Sequence, residues 1–161
     1  MKVRAKFGNI MEIRRFKKED AVEASLIIKE CFEKLDIGKH TDRGIQLQIE
    51  GNSPENLIKR SENIKYFVAV ENDKVIGICG YDKQKVHTLF VEIKYHKFGI
   101  GRKLLNKVLH EAKNEGLKSI TTWSTIYAKN FYESFGFKKI NDINITESTK
   151  DIVLIEMEKE L

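Results

Sequence analysis

The run Tyr95–Leu105, YHKFGIGRKLL, sets two glycines one residue apart among basic and titratable side chains. An apolar helical stripe (Ile100, Leu104, Leu105, Val108, Ala112) begins at the same place. A helix N-terminus offers unpaired N–H groups and the positive end of a dipole, and both attract anions. Gly99 and Gly101 would let a phosphate approach the backbone, with Lys97, Arg102 and Lys103 adding charge. The chemistry on offer is the holding of a phosphorylated ligand, although glycines that only ease a strand-to-helix turn would leave the same trace. The run lacks the third glycine of a dinucleotide fingerprint and the Gly-Lys-Ser/Thr ending of a P-loop.

The wider composition narrows the classes. Of 161 residues, 41% are hydrophobic and 33% charged, enough for one domain with one sizeable core. The net charge of +5 permits an anionic partner without requiring nucleic acid. Between Lys94 and Lys113 six basic side chains face one acid, Glu111, so the positive charge gathers around the glycine run. No apolar stretch is long enough to cross a bilayer, and no secretory signal is visible, so no membrane partner and a cytoplasmic location are expected. Cys31 and Cys79 match no metal spacing and are expected to be buried free thiols, with no metal site.

The elements that must position the glycine run are legible in outline. The first ten residues carry little pattern and are expected to be a disordered extension, leaving one domain over 11–161. IMEIRRF alternates as a strand. KEDAVEASLIIKECFEKL forms a helix that Gly38 stops. Residues 38–52 give no clear pattern. Ser53 and Pro54 start a second helix. Asn72-Asp73 joins two strands in a hairpin, and 85–92 is a further strand. A helix over 99–114 precedes strand 118–124, a short helix ended by Gly136, and two closing strands. The order β-α-α-β-β-β-α-β-α-β-β makes an α+β domain, with one helical crossover between the strands 85–92 and 118–124.

In that setting LFVEIKYHKFGIGRKLL (89–105) resembles the acyl-CoA-binding segment of the GNAT superfamily of N-acyltransferases, whose core pattern is Gln/Arg-x-x-Gly-x-Gly/Ala. AKNFYESFGF (128–137) resembles that family's second hallmark, Ala-x-x-Phe-Tyr-x-x-x-Gly-Phe. His96 stands at the usual Gln/Arg position, Lys97 and Phe98 replace the common pair after it, Ile93 stands where proline is frequent, and Thr125 stands where many members have Asn.

The resemblance implies a GNAT fold: a mixed, mostly antiparallel sheet of about six or seven strands flanked by about four helices. It implies a V-shaped opening between the strands 85–92 and 118–124, with acetyl-CoA as co-substrate. Pantetheine would pair with the backbone of Leu89, Phe90 and Val91 like an added strand. The pyrophosphate would sit on the backbone from His96 through Ile100 to Arg102, with Lys103, Thr125 and Asn130 nearby. Tyr132 matches the tyrosine that protonates the departing thiolate, although a tyrosine at such a place can equally be core packing. His87 is the candidate base, sharing the face of Leu89 by strand alternation; Glu92 is the alternative. The Val91 N–H is the expected oxyanion donor. Tyr81, Trp123 and residues 36–52 are expected near the acceptor, a small-molecule or peptide amine that the sequence does not identify. Many relatives form homodimers, so a homodimer is one possible assembly, although the sequence does not fix the oligomeric state. Two other readings compete: a catalytically silent acyl-CoA binder, and a basic nucleic-acid module. The second lacks the aromatic interleaving of a single-strand binder.

Overall fold

A computed structural model describes residues 2–4, 10–143 and 151–161. Their eight strands form one sheet in the order β1-β2-β3-β4-β5-β6-β8-β7. The strands are β1 (Lys2–Arg4), β2 (Ile10–Arg15), β3 (Lys65–Glu71), β4 (Lys74–Tyr81), β5 (Lys85–Val91), β6 (Ser119–Thr125), β7 (Lys138–Ile143) and β8 (Leu154–Glu160). Every neighbouring pair is antiparallel except β5 and β6, which the crossover helix α4 (Ile100–Asn114) makes parallel. The α+β class and the mixed sheet follow the expectation.

Three differences matter. Lys2–Arg4 pairs with Ile10–Glu12, in place of the disordered extension expected for 1–10; residues 1 and 5–9 of that stretch lie outside the described residues. A helix absent from the expected order, α2 (Asp42–Gly51), sits between α1 (Ala21–Lys34) and α3 (Pro54–Arg60). The last strand β8 inserts between β6 and β7, so the closing strands are not added to the sheet in chain order.

The sheet separates two cores. On one face α4 lays Leu104, Leu105, Val108 and Ala112 against Phe67, Ala69, Ile76 and Cys79, and Tyr132 of α5 (Lys129–Ser134) joins them. On the other, Ala24, Ile28, Cys31 and Phe32 of α1 and Leu57 of α3 cover Tyr66, Val68 and Ile78. Both cysteines are buried and free, and burial pushes the Cys31 thiol up to about 12. No helix among the described residues is long and apolar enough to cross a membrane.

Gly80 is required by packing. A Cβ there would lie 2.5 Å from Cδ1 of the fully buried Tyr66. Gly80→Ala should therefore cost about 1–3 kcal/mol of stability in urea unfolding. A loss below about 0.5 kcal/mol would mean that the Tyr66 ring is free to move aside.

Candidate active site

The site begins with two strands that separate. β5 and β6 pair at only two positions, Lys85↔Thr121 and Val86↔Thr122. Beyond them β5 continues to Val91 and β6 to Thr125 with no register between them, which opens a gap in the sheet. The N–H of Glu92 donates to the Ile76 carbonyl (2.9 Å), and Val91 is the partner of Gly77. That makes Val91↔Gly77 a non-hydrogen-bonded pair, so both the N–H and C=O of Val91 point away from β4, toward the gap. Leu89 packs on the α4-side core, and Phe90 turns to the opposite face against Phe32, ring centroids 5.3 Å apart.

A bulge sits at the mouth of the gap. Between the pairs Ile78↔Phe90 and Gly80↔His87, β4 has one residue and β5 has two, Thr88 and Leu89. Thr88 takes φ +56°, a conformation that a β-branched residue adopts only under constraint, at a cost of about 1–3 kcal/mol. The extra residue breaks the alternation assumed from sequence. His87 therefore does not share the face of Leu89. It lies on the α1–α3 face with Gly80, whose Cβ direction meets Tyr66 and Ile64.

His87 has a partner that the sequence reading did not single out. Its Nε2 lies 2.8 Å from Asp82 Oδ2, and Asp82 Oδ1 accepts the N–H groups of Gln84 and Lys85, each at 2.8 Å. Desolvation lowers the His87 pKa and outweighs the opposing pull of Asp82. Burial works to raise the Asp82 pKa, but the hydrogen bonds it accepts from Gln84, His87 and Lys85 hold it below the ordinary value.

The glycine run does form a cradle. Lys97 (φ +66°) and Gly99 (φ +80°) are both left-handed, and α4 starts at Ile100 without a side-chain cap. The N–H groups of Lys97, Gly99, Ile100, Gly101 and Arg102 meet no acceptor among the described residues. Ile100 is buried and fixes the helix end to the core, whereas the Phe98 side chain is exposed. A Cβ on Gly101 would point between Phe131 and Val91, 3.7 Å from each, at the edge of the gap. Nothing in the chain forbids it, so the glycine there makes sense as room for a ligand.

The side chains of the run behave less as expected. Arg102 turns to α5, donating to Ser134 Oγ (2.9 Å) and lying 4.4 Å over the Phe135 ring. The ring of His96 folds back so that Nε2–H donates to the Val91 carbonyl (2.7 Å), which also accepts from the Cys31 thiol (3.4 Å). Lys97 is exposed and Lys103 half-buried. Ahead of the run, the Tyr95 hydroxyl donates to the buried carboxylate of Glu71, pinning the start of the loop to β3.

Tyr132 is buried on the α4 face between Phe131 and Phe137, which meet its ring edge-on at 5.5 and 5.4 Å. Burial raises its pKa, Cys79 adds to the shift, and a hydrogen bond with Thr122 opposes it. Thr125 closes the turn into α5, its hydroxyl accepting the Ala128 N–H at 3.2 Å. Asn130 is exposed on α5. Glu92 faces Lys74 and Lys94 at the hairpin end, each 3.6 Å away, which removes it from the gap. Tyr81 is core, its hydroxyl donating to Glu115. Trp123 is partly exposed beneath Lys85 Nζ, 3.7 Å from its ring centre.

The segment after α1 crosses toward the gap. Gly38 packs on Ile126, the Val153 N–H donates to the Lys39 carbonyl (3.0 Å), and Thr41 N–H donates to Asp151 (3.1 Å). Ile37, Phe90, Ile152 and Leu154 thereby share one apolar cluster over that face.

Comparison with known proteins agrees with this fold. The family model for the acetyltransferase (GNAT) domain matches residues 37–161. An uncharacterized N-acetyltransferase of Methanocaldococcus jannaschii is 31% identical over 97 residues, and the match covers 52% of this chain and 42% of that protein. Among solved structures, a GCN5-related N-acetyltransferase from Rhodopseudomonas palustris superposes with TM-score 0.84 at 16% identity, covering 93% of this chain and 95% of its own. The PaiA N-acetyltransferase from Thermoplasma acidophilum, solved with coenzyme A, gives 0.76 at 22% identity over 94% and 99% of the two chains. At these identities the structural likeness is one of fold.

Gly101→Ala separates the demands of the ligand from those of the chain. Alanine suits a helix better than glycine, and its Cβ meets only ordinary contacts. The variant should melt at or above the temperature of the parent. Its CoA affinity, read by calorimetric titration, should fall about tenfold or more, corresponding to about 1.4 kcal/mol. Unchanged affinity would remove Gly101 from the cradle.

Proposed function

The chain belongs to the GNAT acetyltransferase family, and from that premise we propose that it transfers the acetyl group of acetyl-CoA to a primary amine by direct attack in a ternary complex. The observation that carries this reading is the gap between β5 and β6, with acceptor-free N–H groups at one end and the buried phenol of Tyr132 beside it. Acetyl-CoA supplies the acyl group and a sulfur leaving group. The N–H groups of Lys97 to Arg102 hold its pyrophosphate, and the free edge of Leu89–Val91 holds its pantetheine arm.

The chain's own residues handle the protons and the developing charge. A lysine-like amine, with a pKa of about 10.4, is only about 0.04% neutral at pH 7, so a base is useful. His87 takes the proton from the amine as the C–N bond forms. The Val91 N–H donates to the carbonyl oxygen as that atom gains charge. Tyr132 donates its hydroxyl proton to the sulfur as the C–S bond breaks. Support for the acid role is the upward shift of the phenol by burial, which keeps it protonated at neutral pH. Support for the base role is the downward shift of His87, which keeps it neutral there.

Tyr132→Phe keeps the ring contacts and removes the proton. With acetyl-CoA and a panel of amines in a thiol-release assay, kcat should fall about 100-fold or more while CoA affinity holds. A variant with parental kcat would take Tyr132 out of the mechanism. CoA binding without thiol release from the parent across the panel would leave a silent acyl-CoA binder instead.

A further inference from the structure

The geometry points to Asp82 as a positioning residue for acyl transfer, one that fixes the tautomer and orientation of His87 and supports the imidazolium formed when His87 takes a proton. This inference rests on the reading of His87 as the base. Asp82 lies in the turn between β4 and β5, and its two carboxylate oxygens have separate tasks. Oδ1 accepts the N–H groups of Gln84 and Lys85, which locks the side chain in the turn. Oδ2 faces His87 Nε2 at 2.8 Å.

A carboxylate can only accept, so Nε2 must carry the hydrogen. Neutral His87 therefore holds its lone pair on Nδ1, which meets no hydrogen-bonding partner among the described residues. A base oriented by a third, rigidly held group is the arrangement found wherever a side chain must collect a proton in one direction. The bulge adds a second observation. Thr88, next to His87, is held in a left-handed conformation, and its hydroxyl lies 3.5 Å from the Tyr66 hydroxyl. The regular pairs Tyr81↔Val86 and Gly80↔His87 put His87 on the α1–α3 face within reach of Asp82, and the bulge beyond them turns Leu89 to the opposite face. Regular alternation would have kept the two on one face.

Besides Asp82 in the turn, the charged groups acting on the imidazole come from its own strand and from α3. Asp82 favours the charged ring, while Lys85 on the same strand and Arg60 at the end of α3 oppose it. Tyr66 on β3 reaches this end of the strand through its hydroxyl, 3.5 Å from that of Thr88. Removing the Asp82 charge leaves desolvation, Lys85 and Arg60 unopposed, so the His87 pKa must fall further. The acid limb of the rate profile would then move to lower pH, and the plateau would drop because the base is weaker and less well oriented.

Asp82→Asn is the informative variant, because an asparagine oxygen can still accept from Gln84 and Lys85 and preserve the turn. The full chain is assayed by thiol release from pH 5 to 9, and the ring nitrogens of His87 are followed by NMR over the same range without CoA. The parent should show a neutral ring protonated at Nε2. In Asp82→Asn the ring titration and the acid limb should both move to lower pH, with kcat down about 10- to 100-fold, and Asp82→Glu should recover part of both. If His87→Gln keeps the parental rate and limb, the base assignment itself fails. If His87→Gln abolishes the limb but Asp82→Asn leaves ring titration and limb in place, the role of Asp82 alone is overturned.

Discussion

The site depends on a failure of pairing. Parallel strands joined by a helical crossover would ordinarily run together along their length, yet β5 and β6 share only two register positions. Unpaired backbone polar groups inside a fold are costly, so an open edge persists only where something else satisfies it. Part of the answer lies within the chain: His96 and the Cys31 thiol both donate to the Val91 carbonyl. For the rest, the proposed pantetheine arm would bring amide groups of its own to the edge.

The two cores keep the strands apart. On the α4 face, Tyr132, Phe131 and Phe137 form an edge-on aromatic stack behind the gap. On the other face, Ile37, Ile152 and Leu154 span from the end of α1 to β8. Neither strand can move toward the other without disturbing a close-packed cluster. The anchors at the loop act in the same way. Tyr95 is pinned to Glu71, and Arg102 is tied to Ser134 and Phe135, so the N–H cradle keeps a fixed position relative to α5. Arg102, which looks like a phosphate ligand in the sequence, instead joins two helices, and the cradle relies on backbone donors.

Local signals in the sequence reached as far as local physics does. The stripe of α4 and the Ser53-Pro54 start of α3 are visible because helix periodicity and capping are written in neighbouring residues. Helix α2 is masked: Ile45, Leu47 and Ile49 alternate at strand spacing between Gly44 and Gly51, and the Thr41 cap is the one clear helical signal. The faces of β5 are not legible in the sequence for one reason, the bulge at Thr88, because a two-residue period cannot survive an inserted residue. The pairing of His87 with Asp82 is set by the geometry of the β4–β5 turn, which residue types alone do not record. The placement of β8 between β6 and β7 is set by contacts distant in sequence, which no local pattern records.

The bulge also separates the two proton-handling groups in the mechanism proposed for this chain. Tyr132 belongs to the α4 face and His87 to the α1–α3 face, with the sheet between them. Burial then sets both resting states at once. It disfavours the charged form of each group, which for a phenol means retaining its proton and for an imidazole means lacking one. One physical cause, opposite in sign for an acid and a base, leaves Tyr132 ready to donate and His87 ready to accept near neutral pH. Neither needs a charged neighbour to set that protonation state. Asp82, in the role proposed for it, orients that neutral ring and then supports its charge once His87 takes a proton.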